Sequence, residues 1–171
     1  MNGNQQKAFS LVELLVVIIV LAVLTAIAVP NFSRLLEDNR QESLRNLLIA
    51  QISQARTNAI THNRQHLLCG SSDGMTCNGD WSSYWLIMAM GKQPSLLHQQ
   101  AAPAKNVCWN GFGGNSIRFH PNGTSPTSNG RFSICRTSGP HWQLILNRQG
   151  RVRQGIADNE KNCCMTGHPG A

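Results

Sequence analysis

KAFSLVELLVVIIVLAVLTAIAVP, residues 7–30, is the stretch that decides the fold of this 171-residue chain. Glu13 lies near the start of this stretch, and after Glu13 the only polar side chain is that of Thr25. A helix over residues 9–29 would be roughly 32 Å long, which is the length that crosses a bilayer once. The stretch therefore predicts a membrane-spanning helix that carries one carboxylate close to its beginning.

Two ordinary explanations of this stretch leave Glu13 unexplained. A secretory signal could be cleaved after Ala28, within the small-residue pattern A-I-A, but a charge would then lie inside the signal. A plain single-pass anchor explains the length, but an unpaired carboxylate costs roughly 2–3 kcal/mol at the centre of a membrane helix and less near its end. A carboxylate in a low-dielectric setting needs a cation close by, so Glu13 is expected to have a specific partner. The remaining alternative is that its side chain reaches the lipid headgroups.

Residues 8–13, AFSLVE, resemble the class III leader junction of type IV pilins and type II secretion pseudopilins. In that family a prepilin peptidase cuts before the Phe, the new amino terminus is N-methylated, and a Glu lies four residues after the Phe. The resemblance implies cleavage between Ala8 and Phe9 and N-methylation of Phe9. It also implies an assembly role for Glu13, which would pair with the Phe9 amino group of a neighbouring subunit in a filament. Ala8 departs from the usual Gly of the family but is also small, so we expect processing to occur.

The order of the segments predicts an α+β protein of the pilin type, in which a long N-terminal helix packs on an antiparallel β-sheet head. Pro30 is expected to kink or loosen the helix where it leaves the membrane. After it, apolar side chains recur at steps of three and four residues, which predicts an amphipathic helix. The predicted segments are a leader peptide (1–8), a transmembrane and filament-core helix (9–30), an amphipathic helix (31–60) and a β-rich, disulfide-bonded head (61–171).

The head is predicted to consist of short strands separated by turn dipeptides such as Asn-Gly and Asp-Gly. The residues from 93 to 105, which include Pro94 and Pro103, are predicted to form an irregular loop. The predicted strands are residues 66–69, 84–90, 116–120, 131–136, 142–147 and 151–152.

Charge and cysteine content both set the head apart from the rest of the chain. The formal net charge is +7, and the part from Thr61 onward has ten Lys and Arg against four Asp and Glu. A basic domain suits a polyanionic partner, although net charge can also serve solubility alone. All six cysteines lie after the apolar stretch, and an even number of them is typical of disulfides formed in an oxidising compartment.

Among the six cysteines, Cys69 and Cys77 are close enough in sequence to staple one loop. Cys135 could pair with Cys163 or Cys164, and Cys108 could take the remaining one; the connectivity stays open. His62 and His66 are spaced like metal ligands, but no C-x-x-C pair accompanies them, so no metal site is expected.

The stretch LNRQGRVRQG, residues 146–155, contains the most informative side chains of the head. Arg148, Arg151 and Arg153 cluster there with Gly150 and no carboxylate. If residues 151–153 are extended, Arg151 and Arg153 point to one face about 6–7 Å apart, which suits successive phosphates of one DNA strand. Planar guanidinium groups bind phosphate oxygens bidentately. Additional cations expected to support them are Arg136, Lys161 and Arg64.

The head as a whole resembles the FimT/GspH group of minor pilins and pseudopilins, in its Cys69…Cys77…Trp81…Trp85 pattern and its late Gly150-Arg151-Val152-Arg153. The resemblance implies a compact head of two β-sheets against the helix. In FimT-type minor pilins a GRxR motif carries DNA binding in natural transformation, which assigns that role to Gly150, Arg151 and Arg153. Secretion pseudopilins also have late glycine–arginine turns, so a structural minor pilin or a type II secretion pseudopilin that initiates or caps assembly is the alternative.

The resemblance also implies where the protein acts and with what. It predicts a single-pass protein of the bacterial inner membrane, with its head in the periplasm and later at the cell surface within a pilus. The expected partners are the phosphate backbone of DNA, other pilins, the prepilin peptidase and the inner membrane. No catalytic constellation and no cofactor motif is evident in the sequence, so the protein is not expected to be an enzyme.

Overall fold

The computed structural model describes residues 10–102, 107–136 and 139–155, and of residues 135, 136 and 139–141 it describes the backbone only. One helix and eight strands follow one another in this part of the chain. They are α1 (Leu11–Thr61), β1 (His66–Ser71), β2 (Tyr84–Ala89), β3 (Ser95–Ala101), β4 (Val107–Gly111), β5 (Ser116–Phe119), β6 (Gly130–Arg136), β7 (Gly139–Leu146) and β8 (Val152–Gly155).

The chain divides into two compact units, Met1–Glu42 and Ser43–Ala171. In the first unit the described residues are helical, and the apolar side chains from Leu11 to Leu36 are at least half exposed. By length and composition this segment could cross a membrane. Such an apolar surface is suited to lipid or to other subunits rather than to water.

The helix begins with a local cap that involves Glu13. The hydroxyl of Ser10 accepts a hydrogen bond from the backbone N–H of Glu13 at 3.2 Å, as in the capping motif S-x-x-E. A carboxylate in the first turn also interacts favourably with the helix dipole. Pro30 lies inside the helix and does not end it.

The second unit contains two four-stranded antiparallel sheets against the last turns of α1. The strand order is β3-β2-β1-β5 in the first sheet and β4-β6-β7-β8 in the second. The helix contributes Leu48, Ile52, Ala55 and Ala59 to the core, all of them almost completely buried. The α+β pilin-type prediction is therefore confirmed.

The tryptophan side chains pack inside the head rather than face a ligand. Trp81, Trp85 and Trp142 are buried, and Trp109 is partly buried. Phe132 contacts both Trp81 and Trp109, with ring centroids 4.7 and 4.6 Å apart, respectively. Stacking on bases is therefore not a role for the three buried tryptophans.

The strands assigned from the sequence differ from the structure in two places. The stretch 93–105 was predicted as a loop, but it contains β3. Because β3 is an edge strand with most side chains exposed on both faces, its sequence lacks the alternation of apolar and polar residues that indicates a strand. The short strand β4 was not predicted, because five residues ending in Gly111 give little periodic signal.

The disulfide between Cys69 and Cys77 closes the loop between β1 and β2, as predicted, with 5.6 Å between the Cα atoms. Inside this loop the Asp73 carboxylate accepts hydrogen bonds from the backbone N–H groups of Thr76 and Met75, both at 2.8 Å. These bonds hold the pKa of Asp73 well below its ordinary value, and the bond from Thr76 has the largest effect. The loop is therefore fixed by a covalent bond and by a carboxylate that stays ionised.

We expect the double variant Cys69→Ala/Cys77→Ala to lose about 2.5 kcal/mol of unfolding free energy, because the cross-link no longer restricts a short loop in the unfolded chain. Urea denaturation followed by circular dichroism measures the loss. The fold itself should persist, because the core contains none of the residues of this loop between the two cysteines. An unchanged denaturation midpoint would contradict a stabilising role for the cross-link.

Candidate functional site

The arginines singled out by the sequence lie in the turn between β7 and β8 and at the start of β8. We call residues 147–153 the arginine hairpin. Its turn is closed by hydrogen bonds from the backbone N–H of Asn147 to the carbonyl of Arg151 and from the N–H of Gly150 to the carbonyl of Asn147, both at 3.0 Å. The side-chain oxygen of Asn147 also accepts the backbone N–H of Arg151 at 2.9 Å. Asn147 thus holds the hairpin from both its backbone and its side chain.

Gly150 is required at this turn for two reasons. Its φ is +71°, a left-handed conformation that residues with a Cβ rarely adopt. A Cβ at this position would also lie 2.3 Å from the carbonyl oxygen of Gly123 and 3.3 Å from the ring of Phe119. The hairpin therefore rests directly on the turn that follows β5.

A second contact fixes the hairpin on the same turn. The backbone N–H of Ser125 donates to the carbonyl of Arg148 at 2.9 Å. Because the backbone is held at Arg148, Gly150 and Arg151, the side chains of the hairpin project from a rigid base. A rigid base lowers the entropy lost when a ligand binds.

The three arginines of the hairpin present their side chains to solvent. Arg148, Arg151 and Arg153 are exposed, whereas Val152 between the last two packs against the core. The alternation places Arg151 and Arg153 on the outer face, as the sequence predicted for an extended segment. Residues two apart on a strand are separated by about 6.6 Å.

No carboxylate neutralises these arginines within the described part of the head. The two described carboxylates from Ser43 onward, Asp73 and Asp80, both lie in or beside the disulfide loop. Asp80 accepts the hydroxyl of Ser82 at 2.5 Å, which lowers the pKa of that carboxyl. Both carboxylates bind neighbouring serine, threonine and backbone groups and form no ion pair with the hairpin.

The other cations that the sequence singled out are not all near this hairpin. Arg136 ends β6 opposite Gly139, whereas the hairpin follows Leu146, which pairs with Gly130 at the other end of β6. Six residues of strand separate the two ends by about 20 Å, so the ladder does not bring Arg136 to the hairpin. A contact of Arg136 with DNA therefore stays a prediction, from a backbone position away from the hairpin.

Of the two other cations singled out by the sequence, Arg64 and Lys161, the structure describes only Arg64. The Nε–H of Arg64 donates to the carbonyl of Met90 at 2.6 Å, which ties this residue to the turn between β2 and β3. Lys161 lies outside the described residues.

Sequence reasoning missed one cation that the fold brings close to the hairpin. The Nε–H of Arg56, on α1, donates to the carbonyl of Gly123 at 2.9 Å, and Arg56 is half-buried. A Cβ at Gly150 would lie 3.4 Å from the same Nε. The available signal was an arginine beside the buried stripe of the helix, with no acidic residue three or four positions away to pair with it.

The remaining sequence-based site predictions fall partly outside the described residues. Ala8 and Phe9 lie outside them, as do Cys163 and Cys164, and the side chain of Cys135 is not described. Cys108 is disulfide-bonded, but its partner is not among the described side chains. The pairing of the last four cysteines therefore stays a prediction.

The comparisons with known proteins agree with this architecture. The family model described as type II transport protein GspH matches residues 45–150, more than half of the chain. A second model, the prokaryotic N-terminal methylation motif, matches residues 3–29. No curated protein sequence matches the chain.

Two solved structures share the fold, both of the type IV minor pilin FimU of Pseudomonas aeruginosa, in space groups P21 and P65. The first is 20% identical, with a TM-score of 0.58, and the match covers 75% of this chain and 98% of FimU. The second is 19% identical, with a TM-score of 0.55, and covers 72% of this chain and 99% of FimU.

Proposed function

This chain belongs to the GspH family of type II transport proteins, and from that premise we propose that it is a minor pilin whose arginine hairpin binds extracellular DNA without sequence preference. Members of this class are subunits of filaments and carry the N-terminal methylation motif found here. In the proposed role the apolar N-terminal helix holds the subunit in the inner membrane and then in the filament. The basic head grips DNA at the cell surface and supports its uptake in natural transformation.

The observation that carries this proposal is the charge arrangement of the hairpin. Arg148, Arg151 and Arg153 are exposed on one rigid turn, and the described carboxylates of the head are engaged elsewhere. Phosphate is the ligand class that suits such an arrangement, because guanidinium groups bind its oxygens bidentately and release condensed counterions. A sequence-specific reader would present a helix or ribbon to the base edges, whereas a short turn of arginines reaches mainly the backbone.

Binding by a single head is expected to be weak. Three or four phosphate contacts give a modest, salt-sensitive affinity. Several subunits along one filament would raise the effective concentration of sites for the same DNA molecule. Avidity of this kind allows a filament to hold DNA that a single head releases.

A second candidate function is favoured by the description of the matching family. A pseudopilin of a type II secretion system would use the same membrane helix and head to initiate or cap assembly, without binding DNA. In that case the arginines would contact another subunit or remain solvated. The two candidates differ in one measurable property, which is the affinity of the head for DNA.

Fluorescence anisotropy with a random-sequence duplex, using the full-length protein in a non-ionic detergent, tests the proposed function. Binding at low salt that weakens steeply as salt is raised supports the minor pilin. Absence of binding at low salt leaves the structural subunit as the better account.

The mature N-terminus gives an independent prediction about the class of protein. We expect intact-mass analysis of the protein from its native membrane to give a chain that starts at N-methylated Phe9. We also expect Glu13→Leu protein to be inserted into the membrane but to enter filaments poorly, because the carboxylate no longer pairs with the amino group of an adjacent subunit. A chain that starts after Ala28, or normal filament entry by Glu13→Leu protein, would contradict the pilin pathway.

A further inference from the structure

A groove runs between the last turns of α1 and the arginine hairpin. Ser53, Arg56 and Thr57 line it from the helix, and Arg151 lines it from the hairpin. Ile52 and Val152 form part of its apolar floor. The groove thus has two guanidinium groups and two hydroxyl groups along its rim and no carboxylate among its lining residues.

Arg56 is held in a fixed orientation that leaves most of its donors free. Its Nε–H binds the carbonyl of Gly123 at 2.9 Å, and within the part of the chain that the structure describes its terminal NH₂ groups have no acceptor. A guanidinium has five N–H donors, so four of them remain for a ligand. Because the side chain is half-buried and anchored through Nε, little rotamer entropy is lost when a ligand binds.

The opposite side of the groove is equally well fixed. Arg151 has its backbone N–H bound to the side-chain oxygen of Asn147 and its carbonyl bound to the N–H of Asn147. Ser53 and Thr57 are exposed and lie four residues apart, on the same face of α1. Within residues 10–155 as described, neither hydroxyl group makes a hydrogen bond of its own, so both can donate to an anion.

We propose that this groove is a phosphodiester-binding site in which Arg56 and Arg151 hold one DNA phosphate from its two sides. The assignment rests on the DNA-binding function proposed above and adds a helical residue, Arg56, to the interface. Two guanidinium groups with two hydroxyl donors match the oxygens of a phosphate, and the apolar floor lies beneath the deoxyribose. The proposal places the DNA strand across the end of α1 and not only along the outer face of β8.

The test introduces a carboxylate into the groove without touching the bond from Arg56 to Gly123. Thr57→Glu places the new charge on the rim, and Gln54→Glu places the same charge on an exposed position of α1 outside the groove. Both variants of the full-length chain, in non-ionic detergent, are titrated with a random-sequence duplex at several salt concentrations. Their melting temperatures are measured alongside, to verify that both keep the fold.

At about 0.1 M salt we expect Thr57→Glu to bind roughly tenfold more weakly than the unaltered chain and to lower the salt slope by about one, since one phosphate contact is lost. Gln54→Glu should lose less affinity, about twofold, because its side chain does not line the groove and its charge stays in water, where it acts only weakly on the DNA. If the two variants bind alike while the unaltered chain binds DNA, the groove assignment is wrong and the hairpin function stands. If the unaltered chain does not bind DNA, both proposals fail.

A soluble short-chain phosphatidylglycerol, added as a competitor, separates DNA from a lipid headgroup as the source of the phosphodiester. We expect it to displace the duplex only at concentrations far above that of the DNA phosphate. Displacement at equal phosphate concentration, lost in Thr57→Glu but not in Gln54→Glu, would assign the groove to lipid and overturn the proposal.

Discussion

The double variant Arg151→Ala/Arg153→Ala is expected to bind random-sequence duplex DNA roughly 50-fold more weakly than the unaltered chain at about 0.1 M salt. Both side chains are exposed, Arg151 directly before β8 and Arg153 within it, and neither takes part in the described packing of the core. Each phosphate contact adds about 0.9 to the slope of log K against log salt concentration. A head with about three or four such contacts therefore loses a large part of its affinity when two are removed. Fluorescence anisotropy on the full-length protein in detergent gives the two dissociation constants directly.

A matched variant controls for the change in net charge. Lys92→Ala/Arg118→Ala also removes two exposed cations. Lys92 lies in the turn between β2 and β3, and Arg118 lies in β5 of the first sheet. We expect this control to weaken binding only a few-fold, because neither cation belongs to the arginine hairpin or lines the groove beside it. Equal losses in the two double variants would mean that binding follows net charge alone, which would remove the hairpin as the site.

The substitution Gly150→Ala should destabilise the head by about 2–4 kcal/mol, because a left-handed alanine is strained and its methyl group overlaps a neighbouring backbone. The Cβ would lie 2.3 Å from the carbonyl oxygen of Gly123, which itself accepts the bond from Arg56. Relief of this overlap must displace the hairpin, so DNA binding should fall together with stability. Urea denaturation measures the first effect, and anisotropy measures the second.

Gly114 offers the control for this substitution. It also has a left-handed backbone, with φ at +91°, but a Cβ there would meet nothing within 4 Å. Gly114→Ala should therefore cost only the conformational strain, about 1 kcal/mol, and leave DNA binding unchanged. Equal losses of unfolding free energy and of DNA binding in Gly150→Ala and Gly114→Ala would contradict a role for the close contact between the hairpin and the Gly123 turn.

Much of the fold could be predicted because its signals are local. The apolar run that starts beyond Glu13 and the stripe that ends in Ile52, Ala55 and Ala59 both carry the helical period, and the helix extends from Leu11 to Thr61. Six strands were placed within a few residues because β-branched and aromatic residues stand between clear turn dipeptides. The edge strand β3 lacks that contrast between its faces, since most of its side chains face solvent.

The candidate site could be predicted only where it lies on one continuous segment. Gly150, Arg151 and Arg153 are neighbours in the chain, and the need for a glycine at a tight turn is a local property. Arg56 contacts Gly123 across 67 residues, and no periodicity along the helix indicates that contact. Conversely, Arg136 is near in sequence to the hairpin but lies at the other end of the ladder, because β6 and β7 run antiparallel.

The salt dependence of DNA binding tests the central claim most directly, because it counts the phosphates that the protein neutralises. For the unaltered full-length chain we expect log Kd to rise with log salt concentration with a slope of roughly 3, and for Arg151→Ala/Arg153→Ala the slope should be lower by nearly 2. The Lys92→Ala/Arg118→Ala control should keep the slope of the unaltered chain. Equal slopes for all three proteins would contradict the claim that the arginine hairpin holds DNA by its phosphates.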